Sequence, residues 1–231
     1  MIPLSITSSD LARLAKLSAI LGTAAAAVVL FLRWDLLTNS PLMVAGQVVS
    51  AALAMPTLVI LVVRKVDWKY PLLSSLLGRR MVHGLWWGEL NSDYGRARGD
   101  PPLPPILIAF VIRQTYLTLS IKSYTSSIPG ESILETLHAH PLTGDANLRY
   151  AYQMTRRANA ENKATLGYGD LVLGGEDREL QGDYWTNSPS AGRIHLRLVT
   201  RDCGDIRSFA DAQRAKVRVE STNSVQAPRP V

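Results

Sequence analysis

Three tyrosines at strand spacing, with hydroxyls and guanidinium groups near them in the chain, carry most of the binding chemistry this sequence offers. Tyr150, Tyr152 and Tyr184 present flat faces with hydroxyl tips, Thr125, Ser127 and Thr186 present hydroxyl donors, and Arg149 and Arg193 present cationic forks suited to phosphate. The same types also have a plain structural use. Tyrosines fill a β-core with their tips in water and arginines decorate an outer face, and spacing alone favours that use.

Catalytic arrangements do not emerge. His138 and His140 lie two apart on one strand face and could begin a metal site, but no third ligand accompanies them. Gly167-Tyr168-Gly169 lacks the following helix and the lysine of a phosphate loop, so its glycines read as strand or turn. Cys203, the one cysteine, has no His/Asn pattern beside it and permits no internal disulfide. Glu176 and Asp177 fall in a turn, where solvation is the default. The expectation is a protein that is not an enzyme and holds no metal or cofactor.

The elements that must position these groups fall into two compositions. Leu17 to Leu32 is uncharged and apolar, fenced by Lys16 and Arg33, and Leu36 to Val63 carries no charge before Arg64 and Lys65. A helix of about 20 such residues spans the ~30 Å of bilayer hydrocarbon. Residues 1–66 therefore predict a transmembrane hairpin, its first span slightly short and helped by snorkelling Arg13, Lys16 and Arg33. Gly22 and Ala24 to Ala27, and Ala45, Gly46 and Ser50 to Ala52, give thin surfaces where helices approach closely, within one hairpin or between hairpins. Gln47 needs a partner in hydrocarbon, and Pro56 predicts a kink. No small-x-small pattern for cleavage follows the first span. Arg64, Lys65, Lys69, Arg79 and Arg80 crowd the exit of the second span, which predicts both ends of the chain in the cytoplasm and reads as a lipid-facing anchor rather than a patch for polymeric nucleic acid.

Residues 67–80 read as a linker, and from residue 81 the period becomes two. Strand-like runs cover Gly84 to Leu90, Ile106 to Thr115, Tyr116 to Ser127, Ser132 to His140, Asn147 to Met154, Thr165 to Leu173, Arg178 to Thr186 and Arg193 to Thr200. Turn signals such as Pro129-Gly130 and Gly174-Gly-Glu-Asp177 separate them. Eight strands with short connections predict an eight-stranded antiparallel up-and-down β-barrel over 81–205, because closure removes the exposed edges. Parity puts Trp86, Gly88 and Leu90, then Leu148, Tyr150 and Tyr152, then Leu180, Gly182 and Tyr184, then Ile194, Leu196 and Leu198 each on one face. Arg149 and Arg193 take the opposite parity, so a ligand touching both sets must sit at a barrel mouth. Residues 206–231 predict one short helix, Asp205 to Lys216, and a disordered tail.

The order of these pieces resembles the SMODS-associating two-transmembrane, β-strand-rich effectors of bacterial anti-phage systems built around cyclic-oligonucleotide synthases (CBASS). The resemblance rests on two spans before Gly84-x-Trp86-x-Gly88-x-Leu90, then Gln114-Thr115-Tyr116, Thr125-Ser126-Ser127, Leu148-x-Tyr150-x-Tyr152, Gly167 before Leu171, and Leu180-x-Gly182-x-Tyr184-x-Thr186 ahead of Gly192. It covers residues 10 to 205. It implies a lipocalin-like cup that binds a cyclic dinucleotide made by a cognate nucleotidyltransferase. Binding then gathers the hairpins into a homo-oligomer, disrupts the bacterial inner membrane and kills the cell. No ligand contact is inherited from the family; the eight residues named at the outset come from chemistry and parity. The loop Asp93 to Pro105 and Arg156-Arg157 are alternative phosphate contacts. A membrane-tethered carrier of a small apolar compound, and a barrel that docks a partner protein, remain open at this point.

Overall fold

The computed structural model describes residues 4–66, 68–70, 74, 77–96, 99–140, 144–156, 163–188 and 190–226. Helix α1 (Ser8–Leu32) and helix α2 (Pro41–Lys65) are joined through a 3₁₀ turn at Trp34–Leu36. α1 starts well before the apolar run because Thr7 and Asp10 cap each other: the Thr7 hydroxyl accepts from the Asp10 amide at 3.2 Å, and the Asp10 carboxylate accepts from the Thr7 amide at 3.1 Å. Each helix has 25 residues, roughly 37 Å at ~1.5 Å per residue, so the first span is not short. α2 begins on Pro41, where a missing N–H costs nothing, continues through Pro56 and ends on Arg64 and Lys65, favourably placed at the negative end of the helix dipole. The pair meets where Gly22 faces Ala52; a Cβ on Gly22 would sit 3.0 Å from the Ala52 carbonyl oxygen. The outer surfaces remain apolar, with Phe31, Leu42 and Leu53 exposed by 79, 88 and 69%. Both helices are long and apolar enough to cross a membrane.

Strands β1 (Gly84–Ser92), β2 (Ile106–Gln114), β3 (Leu119–Thr125), β4 (Pro129–Ala139), β5 (Ala146–Arg156), β6 (Lys163–Gly174), β7 (Glu179–Thr186) and β8 (Ala191–Thr200) form a closed barrel in sequence order, every pair antiparallel. The expected up-and-down barrel is therefore present. Pro129-Gly130, read as a turn, instead opens β4: Pro129 takes the first strand position, where a missing donor is tolerated, and Gly130 faces Ser123 across the sheet. Helix α3 (Phe209–Gln226) lies outside the wall, with Phe209 5.1 Å from the ring of Trp87. It runs well past the expected stop at Lys216. Ser208 and Asp211 cap its start, and Lys216–Glu220 pairs one turn apart at 3.3 Å along it. The tail from 227 lies outside the described residues.

The meander gives the barrel two unlike ends. The end near the helices carries the β2–β3, β4–β5 and β6–β7 turns, and the distal end carries the β1–β2, β3–β4, β5–β6 and β7–β8 connections. At the near end, Leu4 bridges Thr118 and the Ser5 amide donates to the Leu117 carbonyl at 2.9 Å, so the segment before α1 adds to the barrel rim. The Trp68 amide, three residues past α2, donates to the Gln114 carbonyl at 2.7 Å. Arg79, 3% exposed, donates to the Ser5 carbonyl at 2.6 Å and the Ser5 hydroxyl at 3.1 Å, lies 4.0 Å from the Asp10 carboxylate, and stacks over Tyr116. Tyr116 in turn donates to the Asp10 carbonyl at 2.9 Å. Burial lowers the Arg79 pKa, with Asp10 and Tyr116 opposing the shift.

Glycine sets the closing seam. A Cβ on Gly88 of β1 would overlap the His195 carbonyl oxygen of β8. Gly88→Ala is expected to lower stability by at least about 1–3 kcal/mol through overpacking, read as a lower thermal midpoint of the full-length chain. Gly46→Ala, which meets open space in α2, should leave the midpoint in place.

Candidate functional site

The side chains of the lumen form one buried cluster. Toward the near end the lumen is packed solid by side chains including Trp86, Phe110, Ile112, Leu148, Leu180 and Leu196, all at most 1% exposed. Trp86 is pinned from below, its indole N–H donating to the Val82 carbonyl at 2.8 Å while Arg201 stacks over the ring. Arg201 donates to the carbonyls of Met81, His83 and Asp177 and closes that end.

Above this plug stand the three tyrosines, in the lumen as parity predicts. Tyr150 meets Phe110 edge to face at 5.7 Å and Tyr152 at 5.6 Å between ring centroids. Tyr150 and Tyr152 are paired across the sheet with Gly169 and Gly167, and a Cβ on either glycine would collide with the ring opposite. Gly192 pairs with Tyr184, where a Cβ would overlap the Asn91 carbonyl oxygen and sit 3.0 Å from the Tyr184 ring. The glycines of the Gly167-Tyr168-Gly169 run are thus seats for aromatic rings. Burial holds the Tyr150 and Tyr152 phenols well above their ordinary pKa, with neighbouring tyrosines adding to it, so both are neutral donors.

The other residues expected at the site are dispersed. Arg149 stands on the outer wall, its Nε donating to Asp170 at 3.0 Å, and Arg193 stands there too, 3.4 Å from Asp183. Neither reaches the lumen, because strand alternation turns them away and no bulge in β5 or β8 reverses it. Thr125 and Thr186 are at the distal end, but their hydroxyls serve their own turns. Thr125 donates to the Ile128 carbonyl at 3.1 Å, and Thr186 to the Ser188 carbonyl at 2.6 Å. Ser127 is exposed on the β3–β4 turn, 3.4 Å from Thr125. Of the alternative phosphate contacts, Arg156 pairs with Lys163 at the last rung of β5–β6, while Arg98 of the β1–β2 loop and Arg157 lie outside the described residues.

One lumen residue escapes sequence reading. Glu135 is 4% exposed and pairs across the sheet with Tyr150. A bulge between Ser132 and Leu134 lets Ser132 and Glu135 both face inward, three residues apart, where simple alternation allows only one. Ser132 accepts from the Ile121 amide at 2.8 Å, lies 3.0 Å from the Ile121 carbonyl and contacts Glu135 Oε1. A hydroxyl has one proton, so it serves both oxygens only if Glu135 supplies a proton of its own. Burial raises the Glu135 pKa, outweighing the lowering effect of the Ser132 contact. Glu135 Oε2 has no hydrogen-bond partner. A buried polar atom left unpaired is costly, and a ligand donor is one way to satisfy it. The parity of Leu137 two residues on is the signal that could have found it.

No protein-family model matches the chain. Over 152 residues it is 24% identical to a protein of Staphylococcus schleiferi named CD-NTase-associated protein 15, a match covering 65% of this chain and 79% of that one.

Because the native chain holds the Glu135 proton more tightly than the unfolded chain, this group's contribution to stability is complete below its ordinary pKa of 4.5 and is lost as pH rises through the raised value. Glu135→Gln, neutral throughout, is expected to remove that loss. Its thermal midpoint should gain on the parent between acid and neutral pH; parallel curves would mean that Glu135 is not the titrating group.

Proposed function

We propose that this chain is a membrane effector of an anti-phage defence system of the CBASS kind. Its two apolar helices cross the inner membrane as a hairpin with both ends in the cytoplasm, and its barrel binds a cyclic dinucleotide made by a cognate nucleotidyltransferase. It acts by binding and assembly rather than by catalysis. The observation that carries this reading is the upper lumen: ring faces of Tyr150, Tyr152 and Tyr184 beside a buried carboxyl with one unpaired oxygen. A nucleobase offers a face to stack on and N–H donors at its edge, which are the chemical complements of tyrosine rings and an unpaired carboxyl oxygen. The Staphylococcus schleiferi relative, named for its association with a CD-NTase, supports the same assignment. Arg149 and Arg193 have no part in the cup under this proposal.

Transmission to the hairpin runs through the near end, where Arg79 ties the rim at Tyr116 to Ser5 and Asp10 of the α1 segment. The guanidinium keeps Nε and Nη1 without hydrogen-bond partners in a buried setting, so this junction is held below its full potential and is suited to rearrange. Ligand in the cup then needs only a few kcal/mol of preference for the assembled state to gather hairpins. The packed lower lumen favours a second reading, in which the barrel is a solid body that docks a partner protein.

The test uses the full-length chain in lipid vesicles with a panel of cyclic dinucleotides. Saturable binding with dye leakage and a rise in oligomer size is expected. Tyr152→Ala should weaken binding at least about tenfold through the lost stacking face. Arg79→Gln should keep binding but lose leakage. No binding of any cyclic oligonucleotide overturns the proposal and leaves the docking body.

A further inference from the structure

A cavity lies outside the barrel, independent of the lumen. It is a groove of about 670 Å³ on the outer wall of β2 and β3, closed on one side by the segment between β8 and α3. Four cationic side chains line it, Lys69, Arg113, Lys122 and Arg207, against one carboxylate, Asp202. Such an imbalance is unlike the rest of the wall, where Arg149, Arg193 and Arg197 each have an acid on the neighbouring strand at 3.0, 3.4 and 3.2 Å. In the groove, among the described residues, Lys122 alone has such a partner, Glu131 at 3.7 Å, and Arg113 turns its Nη2 to the Gly204 carbonyl at 2.9 Å. The floor carries His83 and Cys203. His83 Nδ1 accepts from the Gln114 amide at 3.1 Å, which puts its ring proton on Nε2, the nitrogen 3.8 Å from Cys203 Sγ.

Position decides what the groove meets. Lys69 follows the last residue of α2 by four positions, Arg113 is at the near end of β2, and His83 immediately precedes β1. The groove thus begins at the rim next to the exit of the second apolar helix and descends the wall as far as Lys122, about 10 Å along β3. A lipid whose tails lie beside α2 presents its headgroup at that level. We propose that the groove is a binding site for the phosphodiester headgroup of an acidic phospholipid. The lipid contributes negative charge to Arg113, Arg207 and Lys69 and holds the barrel wall against the bilayer surface.

The full-length chain in detergent, titrated with phosphatidylglycerol or phosphatidylcholine and read by native mass spectrometry, tests this. The acidic lipid is expected to be retained in preference. Arg113→Gln with Arg207→Gln should weaken its retention roughly thirtyfold for two lost headgroup charges, and Arg197→Gln should leave it unchanged. Arg113→Lys with Arg207→Lys, which keeps the charge, should restore most of it, and equal thermal midpoints across the set guard against misfolding. Equal retention of the two lipids, or no effect of the double Gln variant, overturns the proposal. Displacement of the lipid by an equal concentration of glycerol 3-phosphate or inorganic phosphate also overturns it, by making a soluble phosphate the occupant.

Discussion

The burial of the Arg79 guanidinium is the constraint around which the two halves of the molecule are arranged. An arginine cannot shed its proton, so once buried it must draw oxygens around itself. Here those oxygens come from Ser5 and Asp10, at the start of the first helix, while the ring beneath it comes from Tyr116 on the barrel rim. The surroundings follow from that need. Trp68 donates to the Arg79 carbonyl, Tyr116 donates to the Asp10 carbonyl, and the chain before α1 is drawn onto the β2–β3 turn. Alongside this charge, the Leu4–Thr118 bridge and the packing of Leu14, Val59 and Val63 against Trp68 and Tyr116 join the hairpin to the barrel.

Inside the barrel the division of labour follows from side-chain size. Large apolar groups fill the lower lumen to native density, which anchors the fold but leaves no room there. Higher up, rings alternate with glycines across β5, β6, β7 and β8, so each aromatic lies flat against backbone and the wall is smooth. β4 then places one carboxyl among those rings, that of Glu135.

The alternating pattern was sufficient to read the spans, the eight strands and the inward set of Trp86, Tyr150 and Tyr184, because each rests on a local period. Features that rest on distance or on a broken period were not readable. Ser5, Asp10, Arg79 and Tyr116 lie far apart in the chain and carry no shared pattern. Glu135 shares the inward parity of Leu137, but the bulge that turns Ser132 inward beside it is a change that binary patterning does not register. Thr125 and Thr186 have the right parity for donors, but the sequence does not reveal that their turns already occupy them. The early start of α1 was written in Thr7 and Asp10, whose spacing is that of a capping box, and attention to hydropathy alone passes over it.

The seam between β1 and β8 has a consequence for biosynthesis. Seven of the eight pairings join neighbours in the chain and can form as each strand emerges, whereas β1 waits for the last strand to be made. Ribosomes deliver both apolar helices long before that moment. Every nascent copy therefore passes through an interval with its hairpin complete and its barrel still an open sheet, and a prematurely terminated chain never leaves it. Restraint of the helices during that interval falls to contacts already made by then, among them the Arg79 junction at the β2–β3 turn. Its position early in the chain lets it form before the barrel closes.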